Sequence, residues 1–106
     1  SPEYWLVEGY ATGLSVKEAL NRACIDATVV VCFSANNLVA VSKIIDGLKF
    51  VFADNDSSKT GENAAKSTGC KYAIADEIGW DANDIHRIYG ILTLMEIICK
   101  TRLDTL

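Results

Sequence analysis

The feature that most constrains this chain is a regular alternation of short apolar runs with segments of helical periodicity. Residues 28–33 form an unbroken apolar and β-branched run, which is typical of a strand covered on both faces. The predicted strands are residues 4–7, 28–33, 49–53 and 71–75. Strands and helices that alternate over short connections form right-handed crossovers, so the pattern predicts a parallel sheet with helices on both faces.

Helical periodicity fills the intervals between these runs. The predicted helices are residues 15–25, 37–48, 61–67 and 83–100, with the last one split or bent near Gly90. Ser15 is the expected N-cap of the first helix, with Glu18 as its capping-box partner. The order predicts a three-layer α/β sandwich with a mainly parallel four-stranded sheet flanked by helices.

Size and composition indicate a single domain. The chain has 106 residues, and 50% of them are hydrophobic, which suits one compact core. We expect one domain over residues 1–106. Because the first apolar run begins almost at once, at Tyr4, we also expect that the domain is excised from a longer protein.

Charge and cysteine usage exclude several classes of function. The net charge is −4 and the sequence pI is about 4.8, so no global positive field attracts a nucleic-acid backbone. The four cysteines occur singly, which argues against a zinc site or a disulfide framework. Three of them have apolar neighbours in the sequence, which predicts small core residues in a reducing cytosol. No apolar run approaches the roughly 20 residues that span a bilayer. We expect a cytoplasmic protein with no membrane partner.

Acidic residues follow the first and third predicted strands. Glu8 comes directly after the first, and Asp54 and Asp56 come directly after the third. Carboxylates two residues apart in extended backbone lean to the same side, and Glu8 joins them if its strand is a neighbour. A lone Asp-x-Asp is more often a turn feature, in which aspartate caps backbone amides. The combination predicts a hard divalent cation, Mg²⁺ or Mn²⁺, because clustered carboxylates otherwise repel one another.

Other polar and aromatic residues give weaker signals. Lys59 lies in a loop that lacks the glycine spacing of a P-loop; it is a candidate phosphate contact, or else a solvated surface lysine. His86 has no second histidine nearby and is expected to be a surface or hydrogen-bonded residue. Trp5 is expected in the core, whereas Trp80, in a polar loop, could stack on a substrate base. The apolar segment 91–99 is a packing helix or a docking face.

Taken in order, five segments of the chain resemble the Toprim domain found in DNA primases, in type IA and type II topoisomerases and in some nucleases. The resemblance is to the phage and plasmid primases in particular, and it spans nearly the whole chain. The segments are Val7-Glu8-Gly9-Tyr10-Ala11-Thr12, Asn37-Leu38-Val39-Ala40-Val41, Phe52-Ala53-Asp54-Asn55-Asp56, Gly61-Glu62-Asn63-Ala64-Ala65 and Asp81-Ala82-Asn83-Asp84.

The resemblance implies a Rossmann-like fold and a role for each matching residue. Glu8 corresponds to a glutamate that is a metal ligand or general acid/base, and Asp54 and Asp56 to metal ligands; all three are the expected catalytic residues. Asp81 and Asp84 fall where such primases carry further acids that help to hold a second metal. The expected nucleotide-binding residues are Lys59, Asn37 and Asn83.

The activity that the resemblance implies is metal-dependent nucleotidyl transfer by the catalytic domain of a primase or primase–helicase. The partners would be a single-stranded DNA template, nucleoside triphosphates, and a replicative helicase or a fused helicase domain. The chain has neither the zinc-binding module nor the basic subdomain that usually accompany such a domain, which puts activity of the domain alone in question. Two alternatives stay open: strand cleavage of the nuclease or topoisomerase type, and a non-catalytic module that docks a replication partner.

Overall fold

The computed structural model describes residues 2–103, in which four strands alternate with helices. The strands are β1 (Glu3–Val7), β2 (Thr28–Val31), β3 (Leu48–Ala53) and β4 (Lys71–Ile74). The helices are α1 (Tyr10–Arg22), α2 (Ala35–Ile44), α3 (Thr60–Thr68), α4 (Ala82–Tyr89) and α5 (Ile91–Leu103).

The four strands form one sheet in the order β2-β1-β3-β4, and every pairing in it is parallel. Val7 lies opposite Val31 on one side and opposite Phe52 on the other. The predicted parallel sheet is therefore confirmed. Because β1 and β3 are neighbours in register, the residues that follow them emerge side by side at the carboxyl edge of the sheet.

Helices cover both faces of the sheet, which confirms the three-layer α/β prediction. α1, α4 and α5 pack together on one face, and α2 and α3 pack together on the other. Alternate strand residues supply the two cores, as the twofold side-chain period of a strand requires. Trp5 and Phe50 stack in the first core, with ring centroids 5.0 Å apart, and Leu6 and Val51 belong to the second. The expectation that Trp5 is a core residue is confirmed.

The start of α1 differs from the prediction. The helix begins at Tyr10, not at Ser15, and Ser15 is a buried residue in its middle, 3% exposed. The reason is tertiary packing. A Cβ on Gly13 would lie 2.8 Å from Val31 Cγ2, so the absent side chain lets α1 lie directly on the strands. Burial of this face outweighs the weak helix propensity of the Thr-Gly pair.

The other helices agree more closely with their predicted limits. α2 begins two residues early, because the hydroxyl of Ser34 accepts a hydrogen bond from Asn37 N, and it ends at Ile44, so that Leu48 starts β3 instead of ending the helix. Gly69 ends α3 in the left-handed region. The predicted break near Gly90 is confirmed, since this residue separates α4 from α5.

All four cysteines are free thiols. Cys32 is buried, Cys70 and Cys99 are half-buried and Cys24 is exposed, so three of the four are at least partly buried. Across residues 2–103, no helix combines the length and the apolar character needed to cross a bilayer.

Candidate metal-binding active site

Glu8 and Asp54 lie at the carboxyl ends of two adjacent parallel strands. Glu8 follows the last residue of β1, and Asp54 follows the last residue of β3. The direct pairing of β1 with β3 supplies the neighbour relationship that the sequence pattern left conditional. These two carboxylates therefore emerge at the same edge of the sheet, which is where ligands bind in open parallel sheets.

Asp54 has a raised pKa. Burial and the negative charges of Glu8, Asp81 and Asp56 raise its pKa to about 6, against a smaller lowering effect of a hydrogen bond from Thr12. In that bond the Thr12 hydroxyl donates to Asp54 Oδ1 over 3.3 Å. Thr12 is 1% exposed on α1. No role was predicted for Thr12 from the sequence, although it lies in one of the matching segments.

Asp56 has a structural role as well as its place near the cleft. Its Oδ1 accepts a hydrogen bond from the hydroxyl of Ser58 at 3.1 Å, and its Oδ2 accepts one from Gly61 N at 3.4 Å, in the first turn of α3. Gly61 is required there, because a Cβ at this position would lie 2.5 Å from the carbonyl oxygen of Asp54. Asp56 thus has the role that is common for aspartate in a turn, in which its carboxylate accepts a hydrogen bond from a backbone amide.

Asn55, between the two aspartates, joins the end of β3 to the loop before α4. Its Nδ2 donates to the carbonyl of Ala75 at 2.6 Å, and its backbone N–H donates to the carbonyl of Trp80 at 3.0 Å. Asn55 is 8% exposed. Sequence reasoning missed this residue, although the strand period that turns Asp54 and Asp56 to one side also turns Asn55 to the other. Asn55 is the link that holds the Trp80 loop beside the acids.

Asp81 and Asp84 form a reciprocal capping box at the start of α4. Asp81 Oδ1 accepts from Asp84 N at 3.0 Å, and Asp84 Oδ2 accepts from Asp81 N at 2.9 Å. Asp84 Oδ1 also accepts from Arg87, 3.2 Å away. Hydrogen bonds from the backbone of Asp81 and from Arg87 lower the pKa of Asp84. Both oxygens of Asp84 are thus engaged, and its expected role as a metal ligand stays a prediction that this arrangement does not support.

These elements enclose a small cleft of about 200 Å³, which we call the acid cleft. Its walls are Asp54, Asn55, Asp56, Gly79, Trp80 and Asp81. Trp80 is half-buried, and its ring packs against Tyr89 with centroids 5.5 Å apart. An indole beside three acids could stack on a base, as expected for Trp80, and that role stays a prediction.

The three predicted nucleotide-binding residues lie apart from the walls of the acid cleft. Lys59 is exposed and precedes α3 in a left-handed conformation, with a φ of 64°. The side chain of Asn37 donates to the carbonyl of Cys32 at 3.1 Å. The Oδ1 of Asn83 accepts from the hydroxyl of Ser15 at 3.2 Å. Asn37 and Asn83 are thus used in local structure, and Lys59 remains available at the surface.

His86 is a hydrogen-bonded residue, as expected. Its Nδ1 lies 3.2 Å from the hydroxyl of Ser15, the same hydroxyl that bonds Asn83. The three residues join α1 to α4, which begins at the acid cleft. They fix the position of α4, and hence of Asp81 at its start.

The carboxylates suit a hard cation, but they do not form a closed cage. Within residues 2–103, no group of three His, Cys, Asp or Glu side chains is arranged so that it could hold a metal ion. Mg²⁺ does not need such a cage, because it commonly binds through one or two carboxylates and keeps several waters. Burial is the largest cause of the raised pKa of Asp54, and the neighbouring negative charges that raise it further are what a cation would relieve. One or two of Asp54, Asp56 and Asp81, with Glu8 nearby, could hold such an ion together with waters.

The family assignment agrees with this geometry. The family model described as Toprim domain matches residues 3–91, from the start of β1 to the start of α5. The chain belongs to the Toprim family, whose domains occur in primases, nucleases and topoisomerases and bind Mg²⁺ in nucleotidyl transfer or cleavage. No curated protein gives a significant match to the chain, and no solved structure does either.

Proposed function

We propose that this chain is the catalytic Toprim domain of a DNA primase of the phage or plasmid type, which synthesises RNA primers with Mg²⁺ or Mn²⁺. The observation that carries the proposal is the position of Asp54. It follows a central strand, beside Glu8, and its pKa is raised by its burial and by three neighbouring carboxylates. The primase branch is favoured by the Glu-Gly-Tyr-Ala-Thr and Asp-Asn-Asp segments.

Each carboxylate has a distinct task in this proposal. A divalent cation, when bound, would lower the charge on an incoming nucleoside triphosphate and help to ionise the 3′-hydroxyl of the primer. Asp54 and Asp56 supply oxygen ligands from one loop, and Thr12 holds Asp54 in place through its hydroxyl. Glu8, on the neighbouring strand end, acts as a ligand or as the base that takes the hydroxyl proton. No covalent nucleophile is needed, since positioning and electrostatics suffice.

The acid cleft requires partners that bring nucleic acid to it. With a net charge of −4, the chain has no overall attraction for a phosphate backbone. The proposal therefore includes a single-stranded DNA template held by a neighbouring basic region, and a replicative helicase, fused or separate. Lys59 and Trp80 are the residues proposed to meet the phosphates and a base. Such a protein would act in the cytoplasm.

The test is template-directed primer synthesis by the protein with Mg²⁺ and nucleoside triphosphates. Asp54→Asn and Glu8→Gln should each abolish primer synthesis without loss of the folded state, measured by circular dichroism. Asp46→Asn is the matched control, because Asp46 is exposed and precedes β3, at the opposite edge of the sheet. Primer synthesis that survives in Asp54→Asn would refute the proposal.

A nicking assay on supercoiled DNA, run in parallel, separates the alternative enzyme class. Metal-dependent nicking without primer synthesis would assign the chain to the strand-cleaving Toprim proteins. A Mn²⁺ titration followed by NMR tests the metal site alone. Paramagnetic broadening should centre on Glu8, Asp54 and Asp56, and its absence would favour a docking module without catalysis.

A further inference from the structure

A second and larger cavity lies between the edge strand β4 and helix α5. Its volume is about 610 Å³, and we call it the edge groove. In the part of the chain that the structure describes, β4 pairs only with β3, so no further strand covers its outer side.

The edge groove runs along the edge of β4, not over a face of the sheet. Five consecutive residues, 70–74, line it. The side chains of successive strand residues point to opposite faces, so a recess over one face would be lined by every second residue. Because all five line the groove in sequence, the groove follows the backbone of the strand itself.

The outer backbone groups of β4 are free to pair. The N–H and C=O groups of a strand point alternately to its two sides, so β3 can pair with only half of those in β4. No other backbone hydrogen bond joins residues 71–74 to the rest of the described chain. A strand edge of this kind is a template for a second extended chain, whose own N–H and C=O groups match those that the edge presents.

One face of α5 forms the opposite wall of the groove. Thr93, Ile97, Lys100 and Thr101 line it at positions i, i+4, i+7 and i+8, which is the spacing of a single helix face. The hydroxyls of Thr93 and Thr101 each donate to the carbonyl four residues earlier, at 3.4 and 2.8 Å. Their protons are thus used within the chain. Apart from Lys100, this wall therefore offers a ligand no free side-chain proton, and β4 supplies the directional polar groups.

The two ends of the edge groove carry opposite charges. Arg102, near the end of α5, bonds Glu3, the first residue of β1, at 2.8 Å. The last turns of α5, with the exposed Lys100, thus lie at the amino edge of the sheet. Asp76 and Glu77 are exposed, follow β4 and line the groove at its other end.

We infer that the edge groove binds an extended segment of a partner protein, which pairs with β4 as a fifth strand beside α5. Strands pair residue by residue, so about five residues of the partner span the groove. The segment presents apolar side chains to Ile97, an acidic residue to Lys100, and a basic residue to Asp76 and Glu77. In strand addition of this kind, main-chain bonds supply affinity and the side-chain contacts supply specificity.

Charge also favours a partner over a second copy of this strand. β4 is Lys-Tyr-Ala-Ile, so it brings no acid to pair with Lys100. The ammonium of Lys71 has no accessible surface and takes no part in the contact. The inference does not rest on the proposed function, because it involves neither metal nor nucleic acid.

The probe is a peptide selected from a random decapeptide library displayed on phage, with the 106-residue chain as target and EDTA present. Selected peptides should alternate apolar residues between an acidic and a basic end. A repeat selection on Lys100→Glu should replace the acid by a base. Lys17→Glu, at an exposed site on α1 outside the groove, is the matched control and should yield the original pattern.

The affinity of one synthetic peptide, measured by fluorescence polarisation, tests its position. Thr93→Trp places a large side chain in the groove and loses only a bond to a nearby carbonyl, so it should weaken binding about tenfold or more. Thr28→Trp, at an exposed site on β2, is the matched control and should bind as the wild type does.

Backbone pairing is tested by N-methylation, which removes one peptide N–H at a time. Loss of affinity should recur at every second residue of the peptide, because only alternate N–H groups face β4. The amide protons of residues 71–74 that face the groove should also exchange more slowly in the complex. A peptide held by side-chain contacts with α5 alone would show neither effect.

The inference is overturned if no peptide is selected, if Thr93→Trp binds as tightly as the wild type, or if N-methylation shows no period of two. Selection that is unchanged by Lys100→Glu would also refute it. A dimer in sedimentation, with the amides of β4 already protected, would assign this edge to a second copy instead. Because primer synthesis is assayed separately with Mg²⁺, failure here leaves the proposed function untouched, and the reverse also holds.

Discussion

The hydroxyl of Thr12 donates to Asp54 Oδ1 over 3.3 Å, so α1 and the end of β3 are joined directly at the acid cleft. This bond favours the ionised form of Asp54, and it opposes the burial and the neighbouring negative charges that raise the pKa of Asp54 to about 6. Thr12 therefore helps to keep Asp54 available as an anionic ligand.

Thr12→Val should raise the pKa of Asp54 further and cost about 1 kcal/mol of folding free energy, since a nearly isosteric methyl replaces the donor. The pKa is measured by ¹³C NMR titration of the carboxyl group in EDTA. Thr28→Val, at an exposed site on β2, is the control and should leave the pKa unchanged. An unaltered Asp54 pKa in Thr12→Val would mean that the hydrogen bond does not act as described.

Gly61→Ala should destabilise the protein by about 1–3 kcal/mol, the usual range for overpacking. The added Cβ would lie 2.5 Å from the carbonyl oxygen of Asp54, so α3 must move away from the strand end. Denaturant unfolding measures the effect. Gly9→Ala is the matched control, because no atom lies within 4 Å of a Cβ at that position. Equal stability of the two variants would contradict the close approach of α3 to Asp54.

Asn55→Ala should lower the free energy of unfolding by about 1–3 kcal/mol, because the buried carbonyl of Ala75 loses its side-chain donor. The Trp80 loop should also loosen, which is detectable as faster hydrogen exchange of the Asn55 amide that bonds Trp80. Asn36→Ala, at an exposed site on α2, is the comparison and should change neither quantity. Unchanged exchange in Asn55→Ala would show that the backbone bonds alone hold the loop.

The ion pair between Glu3 and Arg102 should make stability depend on pH. Burial raises the pKa of Glu3, but hydrogen bonds from Arg102 and Trp5 outweigh it and lower the pKa below its ordinary value of 4.5. The contribution of the pair is therefore fully present above pH 4.5 and is lost as the pH falls through the folded-state pKa. Arg102→Met should lower the free energy of unfolding by about 2 kcal/mol at pH 7 and by much less in strong acid.

Urea unfolding at both pH values measures this difference. Arg22→Met is the control for Arg102→Met, because its bond to Glu18 is a surface pair with both side chains well exposed. Arg22→Met should lower the free energy of unfolding by at most a few tenths of a kcal/mol, because helix ion pairs of this spacing contribute no more than that. An Arg102→Met penalty that is the same at both pH values would contradict the assignment to Glu3.

His86 should carry its proton on Nδ1 when neutral. The Ser15 hydroxyl has one proton, which it donates to Asn83 Oδ1, so the contact with His86 requires the histidine to be the donor. The tautomer is read from ¹⁵N shifts, which are unambiguous because the chain has one histidine. Ser15→Ala should abolish the preference of His86 for the Nδ1-protonated tautomer. Ser57→Ala, at an exposed site, should leave that preference unchanged. An Nε2 proton in the wild type would reverse the direction of this network.

The sequence predicted the layers of the fold well, and the limits of α1 poorly. The run at residues 28–33 and the glycines at positions 69 and 90 act locally, so their consequences can be predicted from neighbouring residues. The start of α1 at Tyr10 depends instead on the close approach of Gly13 to Val7, Val29 and Val31 of the sheet. The order of the strands is also a property of the whole sheet, so the adjacency of Glu8 and Asp54 could be stated only conditionally.

At the candidate site, the residue types predicted where the acids lie but not which role each acid has. The acids after the strands lie at the predicted edge, yet Asp84 is committed to a capping box and to Arg87. An aspartate in the first turn of a helix is equally typical of a capping box and of a ligand, and only the geometry separates the two. The roles of Thr12 and Asn55 could not be predicted, because hydroxyl and amide side chains are common in any sequence. The partner of Thr12 is 42 residues away, and the partner of Asn55 is 20 residues away.

The parallel topology has an electrostatic consequence for the acids. α1, α3 and α4 all begin at the carboxyl edge of the sheet, within a few residues of Glu8, Asp56 or Asp81. The aligned peptide dipoles of a helix place roughly half a positive unit charge at its amino end. The amino ends of these helices thus place several partial positive charges at the same edge of the sheet as the carboxylates. These charges offset part of the repulsion between the carboxylates.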